Sequence, residues 1–240
     1  MAAIVAVAIA CGSSSSSTPA PTIPVVYNKI YGITSITLDG EFLVIATMGV
    51  PEHKTPYYSE ASGKHIAYDG TNANFAPNPQ VIADQNLSYR IPLNPQTAVT
   101  HAATQAGPIG IAVNGVAFYN QFADETQSLP LLPTDFNSID QYNGHTQVTG
   151  QYHYHQEPLF LTANLGIGSE HLLGFILDGF PLYGPKENGT TVTKAMLDTN
   201  HGHFAVTQDY PSGIYHYHIT SDSPYIVGTG YNGTPGTVKQ

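Results

Sequence analysis

Two identical tetrapeptides, Tyr152-His153-Tyr154-His155 and Tyr215-His216-Tyr217-His218, are the residues of this chain best suited to chemistry. In an extended strand, alternate side chains point to opposite faces, so each tetrapeptide puts two imidazoles on one face and two phenols on the other. The two histidine Cα atoms then lie roughly 6.5 Å apart, twice the strand rise. Their rings can converge on one ion, with bonds of about 2.0–2.1 Å for zinc. A third imidazole is at hand in each copy, because His145 and His203 hold equivalent places in a Gly-His-x-x-Val-Thr block. Gly144 and Gly202, just before them, allow a close backbone approach or a positive φ. Three imidazoles without a thiolate suit zinc or copper, and three protein ligands leave one coordination position open.

The flanking residues extend these sets. Asp140 and Asp198 stand five residues before His145 and His203, where each can orient an imidazole or carry a proton in catalysis. Glu157 lies at i+4 from His153 and is expected on the same strand face, as a metal ligand or proton shuttle. Asp222 has that spacing in the second copy, but Ser221 and Ser223 beside it signal a turn. His201 replaces Asn143 of the first copy and offers the second a fourth imidazole. Two arrangements follow from this. Either there are two separate centres, one catalytic and one structural, or both sets face one cleft and share a dinuclear centre. Without a metal, the same residues would form a proton-sensing cluster titrating near pH 6.5, or a hydrogen-bonded core network.

The elements that position these residues come from an internal duplication. Residues 109–119 and 173–183 both read Gly, three apolar residues, Asn/Asp-Gly, and an apolar stretch closing on Tyr, about 64 residues apart. Asn114-Gly115 and Asp178-Gly179 predict hairpins with type I′ turns. Each hairpin is followed by its own histidine block, giving two units at about 109–156 and 173–219. In the first half, Asp39-Gly40 predicts one more hairpin between Ser35 and Thr47, and the segment from about 51 to 95 reads as loop-rich. Helix signals are confined to a turn or two over Thr191 to Thr199. The expected fold is all-β, a loop-rich sandwich or barrel, with residues 26–240 forming one domain.

Composition narrows the function. The chain has 240 residues, 41% apolar and only 10% charged, with 23 Gly and 18 Pro. Its 11 histidines outnumber its 7 Lys and Arg, and with 17 acids the net charge is −10. So few cations cannot neutralise a run of phosphates, so nucleic acid is not an expected partner. No P-loop, dinucleotide fingerprint or Gly-x-Ser-x-Gly elbow occurs. Cys11, the single cysteine, closes a short apolar run and precedes Gly12 and five serines. That pattern reads as a bacterial lipoprotein signal over 1–11 and a Ser/Pro-rich tether over 12–25. No Lys or Arg precedes Lys29, however, so the signal lacks its usual positive start. Lipidation at Cys11 would anchor an exported protein to the bacterial outer membrane or cell surface; otherwise it would be periplasmic or secreted.

With its two Tyr-His-Tyr-His motifs, the chain resembles the bacterial YHYH-domain family. Met48-Gly49-Val50-Pro51-Glu52-His53, the Asn114-Gly115 hairpin, Asp178 to Pro185 and Pro224 to Gly228 carry the same resemblance, over roughly residues 30–232. It implies a secreted or surface-anchored bacterial protein, no settled activity, and His53 as a further ligand or a turn cap. A cupin shares the barrel and the His-x-His pair, but Glu157 follows His155 too closely and no second cupin motif follows. Three functions compete: a metal-dependent hydrolase, a non-catalytic module binding metal, a small molecule, a glycan or a protein, and a structural β domain with hydrogen-bonded histidines.

Overall fold

The computed structural model describes residues 22–124 and 126–240. Cys11, the stretch read as a signal and most of that read as a tether lie outside the described residues. Among the described residues fourteen short strands run in chain order. They are β1 Ser35–Asp39, β2 Phe42–Thr47, β3 Leu87–Pro92, β4 Gly110–Ala112, β5 Ala117–Phe118, β6 Gly144–Thr146 and β7 Tyr152–Tyr154. Then come β8 Leu172–Ile176, β9 Pro181–Tyr183, β10 Lys186–Glu187, β11 Thr190–Thr191, β12 Gly202–Ala205, β13 Ile214–His218 and β14 Thr237–Lys239. Among the described residues only single helical turns interrupt them, one of them at Lys194–Met196. No described helix is long and apolar enough to cross a membrane.

The strands form a four-stranded sheet (β1-β2-β3-β14), an eight-stranded sheet (β12-β13-β9-β8-β4-β5-β7-β6) and the small hairpin β10-β11. The fold is all-β and sandwich-like, with neither sheet closed into a barrel. In the smaller sheet, β2 and β3 alternate buried and half-buried side chains, the pattern of a sheet packed on one face. Leu43, Ile45, Tyr89 and Ile91 turn inward and join one continuous core with Ile111, Phe118 and Phe175 of the larger sheet. The hydroxyl of Thr47 fastens the two by donating to the carbonyls of Gly32 and Gly115.

The eight-stranded sheet is two copies of one four-stranded unit. In each, a hairpin is followed by a parallel pairing of its second strand with the histidine strand, β5 with β7 and β9 with β13. The Gly-His strand then pairs antiparallel on the outside, β6 with β7 and β12 with β13. The copies meet at β4 and β8, where Gly110 faces Ile176, Ile111 faces Phe175 and Ala112 faces Gly174. That register reads the same from either copy, so a local two-fold passes between Ile111 and Phe175, perpendicular to the sheet. Equivalent side chains therefore lie on the same face of the sheet.

The hairpin turns depart from the expected type. Of each Asn/Asp-Gly pair only the glycine has positive φ, 82° at Gly115 and 86° at Gly179. Gly115 N–H donates to Ala112 and Ala112 N–H to Val116, with the same pair of bonds at Gly179 and Ile176. This is a type I turn closed by a glycine bulge, not type I′. The close packing of Gly115 on Gly32 accompanies it: a Cβ at 115 would lie 1.7 Å from the Gly32 carbonyl oxygen.

Candidate metal centres

The period-2 geometry of the two tetrapeptides holds in the fold. On β7, Tyr152 and Tyr154 point one way, and on β13 so do Tyr215 and Tyr217. The tyrosine side is tied to acids and an amide, of which Asp140, Asp178 and Asn114 are buried and Asp198 is exposed. Tyr152 donates to Asp140 at 2.8 Å, Tyr215 to Asp198 at 2.9 Å and Tyr217 to Asp178 at 2.6 Å, while Asn114 donates to Tyr154 at 3.1 Å. On the other side, His153 and His155 turn toward His145, which faces His153 across the ladder. His216 and His218 turn toward His203, itself opposite His216.

The first centre comprises His145, His153 and His155, with one nitrogen of each ring within 4.8 Å of the others. Hydrogen bonds fix which nitrogen is available. His153 Nδ1 lies 3.1 Å from the Gln151 carbonyl and His155 Nδ1 2.6 Å from that of Asn120. A carbonyl only accepts, so both Nδ1 atoms carry the proton and both Nε2 atoms present a lone pair. Ser138 donates to the Asp135 carbonyl and thus accepts from His145 Nδ1 at 2.8 Å, leaving His145 Nε2 buried without a hydrogen-bond partner. The ring of Tyr119 stacks on His153 with centroids 3.9 Å apart.

The second centre repeats this support at two of its rings. His216 Nδ1 meets the Ile214 carbonyl at 3.1 Å and His218 Nδ1 the Gly184 carbonyl at 2.8 Å. The Nε2 atoms of His203, His216 and His218 form a triangle with sides of 3.2, 3.1 and 3.2 Å. In the first centre, the Nε2 atoms of His153 and His155 are 3.1 Å apart. A tetrahedral ion with zinc-like bonds holds its ligand atoms about 3.3–3.4 Å apart. The facing lone pairs of His153 and His155, and of His216 and His218, repel at this spacing unless an electrophile lies between them.

Burial keeps His145, His153, His155, His216 and His218 neutral. It lowers the pKa of His145 to about 3 and those of His155, His216 and His218 to about 4, and holds His153 well below the usual imidazole range. Neighbouring imidazoles add to the lowering at His145, His153, His216 and His218. Neutral imidazole is the form that ligates metal.

The two centres differ in what completes them. The first opens on a cavity of about 830 Å³, lined by its three histidines together with Asn78, Tyr119, Asn120, Phe122 and Asp135, among others. In the second, Glu187 on β10 places Oε1 3.4 Å from His216 Nε2 and Oε2 3.5 Å from His203 Nε2. The β7 and β13 strands stand five strands apart in the sheet, about 24 Å measured along it. The shared dinuclear cleft is therefore excluded; these are two separate groups.

The acids nominated from the sequence are not brought to either centre. Asp140 and Asp198 sit on the tyrosine side, where they also accept backbone N–H groups of Tyr142 and Gly144, and of Asn200 and Gly202. They cap the turns that lead into β6 and β12, and they orient phenols, not imidazoles. Glu157 does not continue the histidine face, because β7 ends at Tyr154 and the chain bends before it. His201 has a φ of 74°, matching 64° at its counterpart Asn143, and its Nε2 bonds the Thr220 hydroxyl at 2.8 Å instead of joining the cluster. Gly144 and Gly202 serve close approach: a Cβ at 144 would lie 2.1 Å from the Tyr152 ring, and one at 202 would lie 2.5 Å from that of Tyr215. His53 stacks on Phe160 with centroids 4.3 Å apart and lies 3.4 Å from the Tyr152 hydroxyl, on the side away from the first centre.

Three contributors escaped the sequence reading. Tyr119 was visible as the residue closing the repeated hairpin, but nothing in the pattern aimed it at His153. Ser138 carried no signal. Glu187 was detectable through Asn188-Gly189, among the described residues the one turn with both residues at positive φ, 49° and 78°, which marks the β10–β11 hairpin that carries it.

The family model described as YHYH protein matches residues 88–196 and 186–231. No curated protein and no solved structure matches the chain. The matched span holds both His-x-His strands, both Gly-His strands and the central β4–β8 seam. The chain belongs to the YHYH family.

Proposed function

We propose that this protein binds a divalent transition metal, zinc or copper, at two histidine centres, and that the first centre presents its metal to a ligand entering from the adjoining cavity. The observation that carries this reading is the pairing of unprotonated Nε2 atoms 3.1 Å apart, His153 with His155 and His216 with His218, their Nδ1 protons already committed to backbone carbonyls. Imidazoles in a hydrogen-bonded core network would pair donor with acceptor; the pairs His153–His155 and His216–His218 set acceptor against acceptor. A proton-sensing cluster is disfavoured by the burial that keeps the rings neutral far below pH 6.5.

A metal with an open position at the first centre would supply Lewis-acid chemistry for hydrolysis. Capture of metal without bond cleavage is the second reading. It is favoured by the displacement of Asp140, Asp198 and Glu157 from the centres, which removes the proton carriers that the sequence offered. Of the lining acids, Asp135 is the one whose charge acts on His155, and it would serve as base if hydrolysis occurs. The Cys11 pattern supports placement on the bacterial outer membrane or cell surface, and the net charge of −10 favours cation approach.

Elemental analysis of protein purified without a nickel column tests the reading. About two ions per chain are expected from the two ligand sets, falling to one in the His153→Ala/His155→Ala variant. A metal-free protein whose melting temperature does not respond to added zinc or copper would overturn it.

A further inference from the structure

We infer that the two copies have parted in role: Glu187 is the fourth protein ligand of the second centre, which is closed and structural, while the first centre alone accepts an outside ligand. This rests on the metal-binding reading and adds a division of labour to it. The carboxylate oxygens of Glu187 stand 3.4 and 3.5 Å from two of the three Nε2 atoms, close to the edge length of a tetrahedron around a zinc-like ion. Three imidazoles and one carboxylate saturate four-coordination.

Glu187 is held on a braced element. The two-residue turn Asn188-Gly189 sets the β10–β11 hairpin, with Lys186 opposite Thr191 and Glu187 opposite Thr190. Gly189 N–H donates to Glu170 at 2.7 Å, Lys186 N–H to the Ser169 carbonyl at 2.9 Å and Val192 N–H to the Pro185 carbonyl at 2.8 Å. The carboxylate thus approaches the ring triangle from a fixed base, and a metal there ties the hairpin to β12 and β13.

The first copy has nothing at the corresponding place. The offset of about 64 residues that relates Tyr119 to Tyr183 and Asn120 to Gly184 sets Ala123 against Glu187. Ala123 offers no donor atom from its side chain, and it lines the cavity onto which His145, His153 and His155 open. One substitution in the duplicated unit therefore accounts for both the closed site and the open one. An ion bound by three neutral imidazoles keeps its full positive charge and an open position, suited to a small anion or a lone-pair donor. One bound by three imidazoles and a carboxylate has neither.

Cobalt(II) loading of the full chain, followed by azide titration, tests this. Azide binds an open cobalt position and changes its visible bands. In the wild type, azide is expected to perturb the bands of one of two bound cobalt ions. In His153→Ala/His155→Ala the remaining cobalt is expected to be insensitive, and in Glu187→Gln both cobalt ions are expected to respond. Glu187→Gln keeps the side-chain shape at a partly exposed position, so it reports on ligation in a folded protein. Two cobalt ions that both respond in the wild type would overturn the inference, as would an unchanged response in Glu187→Gln. Failure to bind any cobalt would overturn the metal reading itself, a result distinguishable from either.

Discussion

Asp178 and Asn114 occupy the same place in the two copies, yet one is an acid and the other its neutral isostere. Asp178 is fully buried and accepts from Tyr217 at 2.6 Å, Gly233 N–H at 2.8 Å and Phe180 N–H at 3.3 Å. Burial outweighs these donors and pushes its pKa up to about 6. An acid whose folded pKa is raised holds its proton more tightly in the folded state than in the unfolded chain. Its contribution to stability is therefore full below about pH 4 and is lost as pH rises through 6. The shift corresponds to roughly 3 kcal/mol. Urea unfolding of wild type and Asp178→Asn between pH 4 and 7.5 should show the wild type's advantage largest near pH 4 and smaller by about that amount above pH 7. A difference between the two proteins that stays constant with pH would refute the assignment. At this scale the imidazoles were legible from the sequence, since the period of 2 decides which face a strand residue takes. The acids were not. Five residues of separation across a turn does not say which face a carboxylate meets, so Asp140 and Asp198 were set beside the wrong neighbours.

At the scale of elements, each histidine centre depends on how closely the Gly-His strand can approach the His-x-His strand. Tyr152 lies over Gly144, and Tyr215 over Gly202. These contacts, with the Asp140 and Asp198 caps, set the register in which His145 faces His153 and His203 faces His216. Gly144→Ala would place a methyl group 2.1 Å from the Tyr152 ring, in a fully buried site. The ring cannot yield without leaving Asp140, so the variant should lose roughly 3 kcal/mol of stability, the upper range for overpacking. Of the two proposed metals it should also shed that of the first centre while keeping that of the second, as read by chemical denaturation and elemental analysis. An unaltered stability would show that β6 is free to shift. The repeated hairpins were legible because Asn-Gly and Asp-Gly between apolar runs announce a reversal. The turn type was not, because bulge and type I′ share the same dipeptide and differ only in φ at the residue before glycine. The β10–β11 hairpin went unnoticed because two-residue strands leave almost no hydrophobic alternation to read.

For the whole molecule, the consequential feature is the seam between copies. The register at β4 and β8 preserves the two-fold, and it carries the two centres to positions about 24 Å apart along the sheet. Sites at that separation with no shared ligand should contribute independently to stability. An ion bound at either centre as proposed would stabilise the fold by an amount set by its own affinity and free concentration. With excess zinc, His153→Ala/His155→Ala and His216→Ala/His218→Ala should each lower the unfolding free energy, and the quadruple variant should lower it by the sum within about 0.5 kcal/mol. The same comparison in chelator isolates the packing cost of the substitutions, so the metal contribution is the difference between the two series. A coupling clearly above that margin would mean that the halves communicate through the Ile111–Phe175 pair, and the seam would then be a functional element of the protein as well as a structural one.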